Sequence, residues 1–139
     1  MNKYCVFVYG TLRRGSAGSM STRFPKSKFI AEAKVNGSLY YLGPYPGVLL
    51  DNSNLLVIGE VYEVDDDLLE ELDEFEASSN YVRKQVEISF GVHRAKCWIY
   101  EPNPEFYGLH KLITSGDWIK YSKTKTDSPE DTPPEENRN

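Results

Sequence analysis

The chain has 139 residues, 40% hydrophobic and 27% charged, with a formal net charge of -5. That length suits one domain able to bury a sizeable core, and the acidic balance argues against a nucleic-acid partner, whose phosphates require a basic face. No apolar run approaches the roughly 20 residues of a membrane-spanning helix, and no basic leader with an apolar core opens the chain.

The first expected element is a strand over residues 4–9, YCVFVY, a continuous run of apolar, β-branched and aromatic residues. It stops at Gly10, and the polar segment TLRRG follows. A strand meeting a turn accounts for this pattern. So does a binding turn: Gly10 allows close approach to the backbone, and successive free N–H groups cradle an anion or a carbonyl oxygen. The segment is neither the GxxxxGK[ST] phosphate loop nor GxGxxG. Arg13 and Arg14 read as a solvated basic pair, or as an attraction for an anionic substrate.

Residues 29–42 carry Asn36-Gly37, the signal of a two-residue type I′ turn, so two paired strands are expected there. Tyr45-Pro46-Gly47 reads as a rigid turn or as a pocket wall. Strands at 48–50 and 55–62 flank the turn-rich residues 51–54, and strands at 82–90 and 93–100 flank Gly91. About seven strands joined mostly by tight turns imply a curved, largely antiparallel sheet.

One segment departs from the strand pattern. Acidic residues 65–67 followed by LLEELDEFEA predict a helix, with negative charge at the end where the macrodipole favours it. Stepping about 100° per residue from Leu68 puts Phe75, Leu72 and Leu69 at about -20°, 40° and 100°, one apolar stripe. Glu76 falls at about 80°, inside the stripe, while Glu70, Glu71, Asp73 and Glu74 fall outside it. A carboxylate aimed at an apolar interior, at the negative end of a helix, has its pKa pushed up toward the range useful for proton transfer. The alternative is that the helix ends one turn earlier and leaves Glu76 on an exposed loop.

Cys5 and Cys97 lie in strand-like runs with no CxxC partner or nearby histidine, so packing is expected of both, in a reducing, cytosolic setting. His93 and His110 have no ligand-like spacing, and neither metal nor cofactor is expected. Trp118 reads as a core anchor. Residues 122–139, SKTKTDSPEDTPPEENRN, have no large apolar side chain and read as a disordered acidic, Pro-rich tail, which puts the folded domain at residues 1–121.

Taken together, VFVYGTLRRG (6–15), LGPYPGV (42–48), GEVYEVD (59–65), LDEFE (72–76) and YVRKQV (81–86) resemble the γ-glutamylcyclotransferase-like superfamily, particularly the branch of γ-glutamylamine cyclotransferase and the bacterial AIG2-like proteins. KLITSGDWI (111–119) is similar to the bacterial subgroup. The resemblance implies an α+β fold, a small mixed, mostly antiparallel β-barrel with short flanking helices. It also implies release of 5-oxoproline from a small γ-glutamyl substrate, an amine or peptide. The glutamyl moiety would be held by the backbone of Tyr9, Gly10, Thr11 and Leu12, with Glu76 as acid and base. Tyr81 and Arg83 match the family's Tyr-x-Arg and become candidate substrate-binding residues, with packing and a salt bridge as their alternatives. Where many relatives carry glycine after the glutamate, this chain has Ala77.

Two other readings use the same residues. One is a non-catalytic small-molecule-binding or regulatory module built on the same cavity. The other is an interaction protein whose tail recruits a partner.

Overall fold

Residues 5–8 are apolar without alternation because the strand that they form is covered on both faces. The computed structural model describes residues 2–16, 18–43, 45–51, 53–103 and 111–127. In chain order the elements are β1 (Lys3–Val8), α1 (Met20–Arg23), β2 (Lys28–Asn36), β3 (Ser38–Tyr41), β4 (Pro46–Leu49), β5 (Leu56–Asp65), α2 (Asp66–Ala77), β6 (Tyr81–Phe90), β7 (His93–Pro102), β8 (Lys111–Leu112) and α3 (Trp118–Asp127).

Five strands form one sheet in the order β2-β5-β1-β7-β6, and three form a second in the order β4-β3-β8. Among the described residues every pairing is antiparallel except that of β1 with β7, where Cys5 stands opposite Cys97. The edge strands β2 and β6 approach each other without forming a ladder. The sheet is thus a curled half-barrel carrying few short helices, the α+β, mixed and mostly antiparallel architecture expected. No helix of the described residues is long and apolar enough to cross a membrane.

The structure corrects one expected pairing. Asn36-Gly37 does not close a hairpin: β2 pairs with β5, whereas β3 pairs with β4 and β8. The dipeptide passes the chain from one sheet to the other, and Gly37 is required there by crowding, since a Cβ would lie 2.9 Å from the Leu49 carbonyl oxygen. The two-residue β8 escaped prediction because so short a run has no readable period.

α3 crosses the boundary expected at residue 121, its backbone staying helical to Asp127. Residues 128–139 and His110 lie outside the described residues.

The half-barrel separates two cores. Phe7, Tyr9, Leu39, Val57, Val61, Ile99 and Trp118 pack inside it. Val6, Val8, Leu12, Met20, Leu68, Leu72, Tyr81 and Tyr100 pack on the other side, beneath α1 and α2. β1 supplies alternate residues to both, and beyond its C-terminal end the two cores meet at a pocket.

Candidate active site

After Val8 the chain makes a tight turn in which the Arg13 N–H donates to the Gly10 carbonyl at 3.0 Å. Gly10 is needed for close packing, because a Cβ there would lie 2.7 Å from Cγ of Pro46. The sequence reading assigned that close approach to a ligand; in the structure the neighbour is the proline ring of the Tyr45-Pro46-Gly47 segment. The Leu12 carbonyl accepts from Met20 N at 2.8 Å and ties the turn to α1. None of the described residues accepts from the backbone N–H groups of Gly10, Thr11 or Leu12, so this stretch offers donors to an oxygen.

Arg13 is the clamp of this turn. Its Nε meets Glu60 Oε2 at 3.3 Å and its Nη1 meets Asp117 Oδ1 at 2.8 Å. Glu60, 2% exposed on β5, also accepts from Arg14 N at 3.0 Å and from the Tyr62 hydroxyl at 3.0 Å. A buried carboxylate is tolerated only when paired and hydrogen-bonded, and Glu60 has both. The expectation of a solvated basic pair therefore fails for Arg13 and holds for Arg14, whose side chain is 52% exposed, pairs with Glu32 and lies over the Phe29 ring. Glu60 and Asp117 went unnoticed because charged residues in GEVY and SGDW carry no local sign of burial.

α2 is set by its first turn. The Asp65 side chain caps it by accepting from Leu68 N at 2.9 Å, and Asp66 accepts from the Tyr4 hydroxyl at 2.7 Å. Leu68, Leu69 and Leu72 are buried as the helical phase predicted, and Phe75 packs edge-on against Phe24. The helix runs to Ala77, which decides between the two readings of Glu76: it is helical and faces the pocket. Burial pushes its carboxyl up to about 7 from 4.5. Asn80 then takes φ +63, the left-handed conformation that turns the chain into β6.

The pocket is partly open to solvent and, with that open space counted, measures about 540 Å³. Tyr9, Gly10, Thr11, Leu12, Glu76 and Tyr81, six of the residues singled out from the sequence, all line it. Phe7, Val8, Tyr45, Pro46, Phe75, Ser79 and Tyr100 complete its wall. Three tyrosines are held by their hydroxyls. Tyr9 donates to the Tyr100 carbonyl at 2.6 Å and accepts from Val48 N at 3.3 Å. Tyr81 donates to the Pro46 carbonyl, and Tyr100 donates to Asp73 Oδ1 at 2.7 Å. Burial holds the Tyr9 phenol well above its ordinary pKa, with Tyr81 and Glu76 adding to the shift.

Arg83 is the exception, because it does not line the pocket. Its guanidinium lies over the Trp98 ring, with Nη1 3.2 Å from Asp73 Oδ2. This is the salt-bridge alternative, one residue removed from the cavity through Asp73 and Tyr100. Tyr100, which the sequence reading missed, carried only the pattern of an ordinary strand residue. Among the described residues no cluster of three His, Cys, Asp or Glu side chains is arranged to hold a metal ion.

The profile of the family "Gamma-glutamyl cyclotransferase, AIG2-like" matches residues 6–120. The chain belongs to this family. Within it, the gamma-glutamylcyclotransferase family protein YtfP of Escherichia coli strain K12 is 36% identical over 121 residues, covering 85% of this chain and 98% of YtfP. YkqA from Bacillus subtilis shares the fold with a TM-score of 0.74 at 28% identity, over 92% of this chain. The aligned part is 44% of YkqA, so this chain spans under half the length of that protein. An AIG2-like protein from Mus musculus aligns over 99% of this chain and 100% of its own, with a TM-score of 0.67 at 24% identity, a likeness of fold.

Proposed function

We propose that this AIG2-like chain is a γ-glutamylcyclotransferase-type enzyme, closing the γ-glutamyl end of an amine or peptide into 5-oxoproline and releasing the free amine. The observation that carries this reading is Glu76, the one carboxylate among the described lining residues, in the same pocket as the unengaged N–H groups of residues 10–12. Family membership supports the same reaction type.

The α-amine of a γ-glutamyl group attacks its own γ-carbonyl, so no protein nucleophile is needed, and holding the chain in a ring-closing conformation supplies much of the rate. Proton handling remains. The ammonium must lose one proton before its nitrogen can attack, and the new ring nitrogen loses a second after the N–C bond has formed. The departing nitrogen takes up one proton as its bond to carbon breaks and another as it becomes an ammonium. Glu76 accepts from the attacking nitrogen and returns the proton to the departing one, a role that suits a carboxyl titrating at about 7. The N–H groups of Gly10, Thr11 and Leu12 donate to a negatively charged substrate oxygen, the developing oxyanion or the α-carboxylate.

The test is to incubate purified protein with γ-glutamyl-amino acids and γ-glutamyl-ε-lysine and to assay 5-oxoproline. Product should form, with kcat/KM rising through about pH 7 as Glu76 ionises. Glu76→Gln should lower kcat by roughly 100-fold or more. Full activity in that variant sinks the mechanism. A γ-glutamyl compound that raises the melting temperature yet is recovered intact makes the pocket a binding site without turnover.

A further inference from the structure

Strands β2 and β6 end the five-stranded sheet, and no backbone hydrogen bond among the described residues joins them. The half-barrel wall is open along this seam. A second cavity lies in it, measuring about 850 Å³ with its open space counted. Lys34, Val35 and Asn36 of β2 line one side and residues 86–89 of β6 the other, with Leu50 and Asp51, just beyond β4, completing the wall. Successive strand residues point to opposite faces, so a cavity that touches consecutive residues on both strands is a slot between two strand edges. It shares no lining residue with the candidate active site.

The slot has an apolar floor and a polar lip. Val35 and Ile88 belong to the inner core, Leu50 and Val86 pack against it, and Lys34, Asn36, Glu87 and Ser89 are exposed. Two of its charges are uncommitted. Neither Lys34 nor Asp51 makes an ion pair with any described residue, whereas Glu87 faces Arg94 at 3.7 Å. Asp51 is nevertheless held in place, accepting from Ser53 N at 3.1 Å and from the Ser38 hydroxyl at 2.8 Å. Hydrogen bonds from Ser53 and Ser38 keep its carboxyl below the ordinary carboxylate range, and each of its oxygens retains a further acceptor site. Ser38 is four residues beyond Lys34, a separation of at most about 14 Å. The carboxylate and the ammonium are thus within reach of one short molecule.

From this arrangement we infer that the slot is a second binding site, for a short zwitterionic peptide lying extended between β2 and β6. Edge strands leave alternate N–H and C=O groups without a ladder partner, and a peptide amide supplies the complement of both. The carboxylate of the peptide meets the Lys34 ammonium, its ammonium meets Asp51, and small apolar side chains rest on Val35 and Ile88. A simple anion or cation satisfies only one of the two charges. Glu76 takes no part in the slot, so this site and the cyclotransferase reading stand or fall separately.

L-Alanyl-L-alanine is the probe, since it carries both charges and has no γ-glutamyl bond. Titrated into the isotope-labelled full chain and followed by NMR, it should produce saturable amide shifts centred on residues 34–36, 50–51 and 86–89, with a Kd of about 1 mM or tighter. Residues 9–12 and 76 should not move. Acetylating the peptide amine or amidating its carboxylate should weaken binding by roughly tenfold or more, because each change removes a charge-assisted hydrogen bond. Asp51→Asn should erase the penalty of acetylation and Lys34→Gln that of amidation. Lys34 is exposed, so its variant keeps the fold and decides the amidation arm even where Asp51→Asn disturbs the turn. No saturable shift at about ten times the expected Kd, shifts centred on residues 9–12 and 76, equal affinity for free and blocked peptides, or an amidation penalty unchanged in Lys34→Gln overturns the inference.

Discussion

Replacing Glu76 by glutamine should stabilise the protein at alkaline pH, and by an amount that changes with pH in a defined way. A carboxyl that titrates at about 7 in the folded chain, against an ordinary value of 4.5, is easier to ionise after unfolding. Between these two values the folded state binds more protons than the unfolded state, so stability falls as pH rises through that window. At about 1.36 kcal/mol for each tenfold, the full penalty above pH 7 is about 3 kcal/mol, and the part that develops between pH 5 and pH 8 is about 2.5 kcal/mol. Glutamine keeps the shape and removes the charge. Urea unfolding of both proteins across that pH range isolates the effect, because every other titrating group cancels in the difference. The glutamine variant should gain about 2.5 kcal/mol relative to the parent on going from pH 5 to pH 8. A difference that stays constant with pH would refute the claim that burial holds this carboxyl protonated near neutrality, and with it the physical basis for its role in proton transfer.

Other outcomes follow from the same geometry. Arg13→Ala leaves Glu60, 2% exposed, without a counter-charge and should cost about 3 kcal/mol in urea unfolding. Arg14→Ala, which breaks an exposed pair with Glu32, should cost under about 0.5 kcal/mol, and equal losses in the two variants would contradict the clamp. Gly10→Ala forces a Cβ to within 2.7 Å of the Pro46 ring. By displacing the turn, it should lower 5-oxoproline formation by roughly tenfold or more, whereas parental kinetics would show that the turn does not position substrate. Asp73→Ala removes the acceptor of the Tyr100 hydroxyl and the carboxylate beside Arg83. It should cost roughly 1–3 kcal/mol of stability, and because Asp73 lies one helical turn before Glu76, kcat should fall more than KM changes.

Much of this site was legible in the chain itself. The apolar run before Gly10 specified a strand buried on both faces, because a strand exposed on one side would have alternated. The phase of LLEELDEFEA separated Glu76 from its acidic neighbours, because helical geometry fixes side-chain direction within a few turns. What no local pattern could supply was pairing across the chain. Asn36-Gly37 carried a hairpin signal, yet the partners of β2 and β3 were chosen by burial in two different sheets. Arg13 looked like a surface residue until Glu60 and Asp117, 47 and 104 positions away, closed around it. For Arg83, open between a substrate contact and a salt bridge, the partners are Asp73 and the Trp98 ring. The sequence by itself determined which residues form the strand, the turn and the helix, since those depend on neighbours a few positions apart. Which charges are buried, and which groups face the same cavity, was decided by the tertiary structure alone, because desolvation and ion pairing depend on distances in space.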